Sequence, residues 1–174
     1  PAYLDRFFYV RQMIEEWNIN MADQFEPSWI CSLDESMSVW TNSFCAGFMY
    51  VPRKPKAMGN AYHTLCCATS GVLFSLELVE GKDHPRQLPE KFSEFGKTAS
   101  LLLRLCEPIF GKGKMVIMDS GFCVLQALVE LKKKGVFSSA LVKKRRYWPK
   151  HVDGDAIHAE FEDKRSEEHT SELQ

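Results

Sequence analysis

The chain has 174 residues, 45% hydrophobic and 12% aromatic, with a formal net charge of −1. That apolar content can bury a sizeable core and excludes disorder as the main state, while the length suits one compact domain rather than two. No apolar run approaches the roughly 20 residues of a membrane span, and no basic, apolar, small-residue leader opens the chain, so the expectation is a soluble, intracellular protein.

Residues 3–17 repeat Leu4, Phe7, Phe8, Ile14 and Trp17 at the spacing of one helix face, which predicts a helix docked on a core. Residues 29–40 alternate, with Leu33, Met37 and Val39 on one side and Ser32, Asp34, Ser36 and Ser38 on the other. This predicts a strand that carries Asp34 on its polar face. Asn42 to Gly59, punctuated by Gly47, Pro52, Pro55 and Gly59, reads as a loop or ragged hairpin. His63–Thr69 and Val72–Val79 flank Ser70-Gly71 and predict a hairpin.

After a polar stretch from Glu80 to Gly96, Thr98 reads as the N-cap of a helix with Leu101, Leu102, Leu105, Cys106 and Ile109 on its face. Pro108 and Gly111 end it. Met115–Met118 is an uninterrupted apolar run, too short for a helix, and predicts a central strand buried on both faces that ends at Asp119. A further helix from Phe122, with Phe122, Leu125, Leu128 and Val129 on one face, stops at Gly135, and Phe137–Val142 makes the last strand. The order predicts a mixed α/β sheet flanked by helices.

Charge is distributed unevenly. Residues 1–110 hold 10 basic and 13 acidic side chains, residues 111–150 hold 10 and 2, and residues 151–174 hold 2 and 8. A basic block of this size can neutralise phosphates and release counterions, the source of most non-specific DNA affinity. Its candidate DNA contacts are Lys132, Lys133 and Lys134, and Lys143, Lys144, Arg145 and Arg146 beside Tyr147 and Trp148. The bland alternative for the first cluster is a solvated helix end, where cations also favour the helix dipole. For the second it is a strand end packed on a core.

Six cysteines form no C-x-x-C pair and give no zinc signature, so reduced, largely buried thiols are expected. The five histidines show no ligand spacing. Gly96-Lys97-Thr98 imitates the end of a phosphate-binding loop, but Lys91 stands where the leading glycine belongs and no buried strand precedes it.

Asp34, in Leu33-Asp34-Glu35-Ser36, and Asp119, in Met118-Asp119-Ser120-Gly121-Phe122, each follow a strand-like run. Between them stands Tyr50-Val-Pro-Arg-Lys-Pro55 followed by Gly59. In this order the words resemble those of piggyBac-type transposases, over roughly residues 1–164. The resemblance implies a ribonuclease H-like mixed sheet in which the first and fourth strands lie side by side, so that Asp34 and Asp119 meet. It also implies that these aspartates are the first two carboxylates of a catalytic triad holding magnesium or manganese, and that Lys54-Pro55 and Gly59 match the family's lysine-proline and glycine word.

The family's third carboxylate falls further along, and Glu162 and Asp163 come too early to replace it. The family's Gly-Arg pair is missing where the chain reads Val39-Trp-Thr-Asn-Ser-Phe44. The implied function is a fragment of a metal-dependent transposase that cleaves and joins DNA strands. Its implied partners are transposon ends and target DNA, its assembly a homodimer and its location the nucleus. The alternative is a domesticated, non-catalytic binder of DNA or chromatin.

The chain starts at Pro1, so the expectation is that the native N-terminus is missing or was removed. Residues 165–174, Arg-Ser-Glu-Glu-His-Thr-Ser-Glu-Leu-Gln, read as a translated sequencing adapter and are set apart from the transposase-like residues 1–164.

Overall fold

The alternation in the first apolar–polar stretch produces a ten-residue strand, β1 (Ile30–Val39), in a computed structural model that describes residues 5–52, 54–80 and 91–142. It pairs antiparallel with β3 (Met58–Cys67), from Cys31 opposite Cys67 to Val39 opposite Gly59. The ladder reaches Gly59, which is why β3 begins five residues before the predicted start of the hairpin. A short β2 (Phe48–Tyr50) and β4 (Leu73–Leu78) both pair with the outer edge of β3, at Met58–Asn60 and Tyr62–Cys66 respectively. On the other side, β5 (Met115–Met118) runs parallel to β1, and β6 (Phe137–Ala140) runs parallel to β5. The resulting order is β2-β3-β1-β5-β6, with β4 beside β3. β1 and β5 are thus neighbours, as expected of the first and fourth predicted strands; the short β2, inside the stretch read as a loop or ragged hairpin, adds one to the count.

Two helices cover one face of this sheet. α2 (Lys97–Cys106) and α3 (Leu125–Lys133) enclose Cys31, Leu33, Leu65, Phe74, Val116 and Met118 together with Leu102, Leu103, Leu105, Ile109 and Leu131. Each such side chain taken from water contributes roughly 1.5–3 kcal/mol. α2 is buried over most of its length: Leu103 and Ser100 are buried along with the predicted face. Its N-cap is Gly96, at φ +78, with no side-chain cap bond, and Thr98 lies inside the helix rather than capping it. A glycine turn makes the abrupt entry that a capping hydroxyl would otherwise stabilise.

Two predicted burial patterns are corrected. Ile117 of β5 is 45% exposed, because the described helices cover only the other face of that strand. In α3 the buried residues are Ala127 and Leu131, while Leu125 and Val129 are exposed. Phe122 is buried, but in the turn before the helix, so it set the wrong phase for the predicted face.

The first helix, α1 (Phe8–Gln24), also lies later than predicted. Phe7 and Ile14 are its buried anchors and pack on Leu78, while Phe8 and Trp17 are 44% and 45% exposed. Asn18 fixes the helix to the edge strand β4: its Nδ2 donates to the Leu76 carbonyl and its Oδ1 accepts from the Leu76 amide, both at 2.9 Å. An open strand edge is blunted in this way. Arg11 joins Asp5 (3.0 Å) and Glu80 (2.6 Å), two carboxylates that hold its guanidinium firmly charged.

Across the helix-covered face, Arg104 of α2 donates from Nε and Nη2 to both oxygens of Glu77 on β4, at 2.9 and 2.8 Å, and its side chain is only 8% exposed. Paired, largely dehydrated bonds to a charged group contribute more than surface ion pairs do. Arg104→Ala is expected to lower the free energy of unfolding by about 2–3 kcal/mol in urea titrations. A loss below roughly 0.5 kcal/mol, the range of ordinary surface substitutions, would show that the pair does not brace α2. Among the described residues no helix is long and apolar enough to cross a membrane.

Candidate active site

The parallel ladder between β1 and β5 matches Ile30, Cys31, Ser32 and Leu33 with Met115, Val116, Ile117 and Met118. One step further on each strand stand Asp34 and Asp119. Neighbouring strands are about 4.8 Å apart, so the register sets the two aspartates side by side although 85 positions separate them. Leu33 and Met118, just before them, are buried under the helices. Alternation therefore turns Asp34 to the opposite face, where both carboxylates are exposed.

Each aspartate is held by its own backbone. Asp34 Oδ1 accepts from the Glu35 amide at 2.7 Å, and Asp119 Oδ1 accepts from the Ser120 amide at 2.5 Å. Thr64 on β3, 3% exposed, donates from Oγ1 to the Asp34 carbonyl at 3.2 Å. Beyond Asp119 the chain turns sharply, the Phe122 amide donating to the Asp119 carbonyl at 3.0 Å. A strand on one side and a hydrogen-bonded turn on the other carry the two carboxyl groups.

Two adjacent carboxylates form a hard, anionic oxygen donor set, which suits Mg²⁺ or Mn²⁺ rather than a soft metal. No third His, Cys, Asp or Glu among the described residues completes a cluster of three with them. The thiols offer no competing centre. Burial pushes Cys31 up to about 11 and raises Cys106, Cys66 and Cys123 as well, so these sulfurs stay protonated. Hydrogen bonds involving Ser28 and Ser70 draw Cys67 down to about 6, but it is 3% exposed and pairs with Cys31, three residues before Asp34 on the strand.

The lysine-proline word is also placed. Lys54 Nζ donates to the Glu35 carbonyl at 2.8 Å and lies 4.0 Å from the Glu35 carboxylate, tying the loop after β2 to the strand beside Asp34. Gly59, at φ +151, lies so close to β1 that a Cβ there would fall 1.9 Å from the Ser38 carbonyl oxygen.

His63 is a residue the sequence reading left without a role. It faces Glu35 across the β1–β3 ladder, with Nε2 3.9 Å from Oε1, and meets Phe122 edge-on at 5.7 Å. These groups, with Lys97, Thr98, Leu101 and Gly121, line an open pocket of about 230 Å³ on the helix-covered side. Only pairing of the strands could have revealed His63, since nothing in its own neighbourhood of sequence marks it.

The basic residues lie elsewhere. α3 runs back from Asp119, so Lys132, Lys133 and Lys134 stand at the opposite end of the sheet, where Gly111 donates to the Lys134 carbonyl at 2.7 Å. Lys133 pairs with Glu130 at 2.6 Å, and Lys134 sits over the rings of Phe92 and Phe110 at 5.2 and 5.0 Å. The structure does not bring this cluster to the aspartates. Lys143, Lys144, Arg145 and Arg146 lie outside the described residues, as do residues 165–174.

A family model described as Transposase IS4 matches residues 1–171. Among solved structures, a cryo-EM structure of the piggyBac transposase synaptic complex with hairpin DNA is similar in fold, with a TM-score of 0.68 at 15% identity. The similarity covers 87% of this chain and 30% of that one, so the chain spans under a third of the transposase it resembles. No curated protein sequence matches.

Proposed function

Because the chain belongs to the Transposase IS4 family, with a sheet folded like that of piggyBac transposase, we infer that Asp34 and Asp119 are two metal-holding carboxylates of a DNA strand-cleaving and joining centre. The observation that carries this reading is the β1–β5 register, in which two exposed aspartates follow the last matched pair, Leu33 and Met118, on neighbouring strands. Magnesium or manganese bound there would polarise a phosphate and activate the attacking oxygen for in-line displacement at phosphorus. The chain's own part is placement: the Glu35 and Ser120 amides orient the carboxylates, and Lys54 holds the strand beyond Asp34. DNA as substrate agrees with the hairpin DNA held in the piggyBac complex. A homodimer and a nuclear location are the setting this chemistry implies.

Mn²⁺ titrations followed by water-proton relaxation test the site directly. Weak Mn²⁺ binding is expected for the wild-type chain and its loss for both Asp34→Asn and Asp119→Asn. Unchanged binding in the two variants would place the metal elsewhere. With two carboxylates and no third among the described residues, the chain itself is expected not to nick terminal-repeat DNA in Mg²⁺ or Mn²⁺. Metal-dependent nicking that Asp34→Ala abolishes would overturn that expectation.

A further inference from the structure

Beyond Asp34, β1 continues without β5 beside it and ends in a three-stranded tip formed with β3 and β2. The Trp40 amide donates to the Met58 carbonyl at 3.2 Å, extending the ladder by one pair, and Met58 in turn pairs with Tyr50. Trp40, Met58 and Tyr50 therefore form one row across the tip, 50%, 44% and 65% exposed. Alternation along β1 puts residues 34, 36, 38 and 40 on one face, so this row shares the face of Asp34. Six residues of strand separate the two, about 20 Å.

The row is braced, and the stretch of sequence it belongs to carries bases but no acids. Trp40 Nε1 donates to Cys45 Sγ at 2.7 Å, which fixes the indole plane while leaving half its surface open. From Ser36 to Leu76 the sequence contains no Asp or Glu, although the whole chain has 23, and Lys54 and Lys56 lie in the loop between β2 and β3. Exposed aromatics beside a lysine-bearing loop, in a stretch of sequence free of acids whose Lys54 is shared with Glu35 while Lys56 stays open, have the composition of a single-strand binding platform, where bases stack and cations track the backbone. An acidic protein partner would find the lysines but have no use for an open indole and phenol. A second copy of the chain would bring like charge against like.

We propose that the Trp40–Met58–Tyr50 row is a stacking platform for unpaired DNA bases flanking the phosphate held at the aspartates. This rests on the reading of Asp34 and Asp119 given above, and extends it to a surface neither the basic block nor the family's missing Gly-Arg pair supplies. A strand leaving the aspartates along β1 would reach the row after some 20 Å, about six steps at the 3.4 Å rise of a stacked strand.

The test is fluorescence anisotropy of a labelled 20-nucleotide single strand and its duplex with the 174-residue chain, without metal. Trp40→Ala and Tyr50→Ala are each expected to weaken single-strand binding about tenfold and duplex binding much less, while Trp40→Phe restores most of it. Lys56→Ala should reduce the salt slope by about 0.7, one phosphate's share. Circular dichroism and melting temperature identify any variant that fails to fold, and Tyr50, the most open of the three, keeps the test valid if Trp40→Ala does not. Wild-type affinity in a folded Tyr50→Ala variant overturns the platform, as does a concentration-dependent dimer that Trp40→Ala abolishes. Because Mn²⁺ binding reports on the aspartates separately, loss of the platform alone leaves the metal site standing.

Discussion

Gly59→Ala is expected to cost about 4 kcal/mol or more of unfolding free energy, a loss found only where a named steric or cavity mechanism operates. The obstruction at Gly59 is backbone on three sides: the added carbon would lie 1.9 Å from the Ser38 oxygen, 2.9 Å from its carbonyl carbon and 3.1 Å from the Trp40 nitrogen. No rotamer can relieve such contacts, so β1 and β3 must separate at their far end or the variant does not fold. Gly71 supplies the control, because it has φ +70 but open space around its missing side chain. Gly71→Ala should cost only the backbone term of about 1–2 kcal/mol. Urea midpoints for the pair decide the matter, and equal losses would show that close approach of the strands contributes nothing.

The second large effect concerns two adjacent residues whose substitutions act in opposite directions. Leu33, 1% exposed and in register with Met118, fills the core directly behind the aspartates. Leu33→Ala is expected to lose about 3–4 kcal/mol to transfer and cavity terms. Asp34→Asn keeps the side-chain oxygen that accepts from Glu35 but removes one of two like charges on neighbouring strands, which at a typical strand spacing of ~4.8 Å repel by roughly 1 kcal/mol in water. Metal-free stability should therefore rise by up to about that amount. Thermal denaturation in chelator reads both, and a destabilised Asp34→Asn would make Asp34 a structural residue rather than a metal-holding one. A site whose ligands destabilise the empty protein is what function exacts from a fold.

Much of this arrangement is legible in the sequence. β1 is, because ten residues of regular alternation state both the strand and the face of Asp34. The hairpin around Ser70-Gly71 is too, although its first strand runs back to Met58 through a ladder that only the partner strand defines. α3 was found but its phase was not: Phe122 looks like the first residue of the apolar face, yet belongs to the turn that follows Asp119. Ile117 sits in an unbroken apolar run, and sequence alone could not show that one side of β5 is left open.

For the site, spacing had no means of joining Asp34 to Asp119. The likeness to a known family supplied that link, and the parallel register agrees with it. Closeness in sequence misled in the opposite sense. Lys132 follows Asp119 by 13 positions, but Leu125–Lys133 wind into a nine-residue helix that carries the lysines roughly 13 Å back along the sheet. His63 was invisible for a related reason, since its partners Glu35 and Phe122 come from two other elements.

The parallel pairing of β1 with β5 also governs the order in which the molecule can assemble. β1, β3 and β4 form a meander of neighbours in sequence, whose contacts close short loops, whereas β5 must return across the whole of that meander and α2 before it meets β1. Non-local pairing of this kind raises contact order and slows folding, because chain entropy is surrendered before any contact rewards it. The meander can thus exist while the aspartates are still apart, and a nascent chain would carry Asp34 alone until β5 docks. On the proposed reading of the aspartates, divalent metal would have nothing to bind at this place in the partly folded chain, and its affinity would report the final strand insertion rather than collapse.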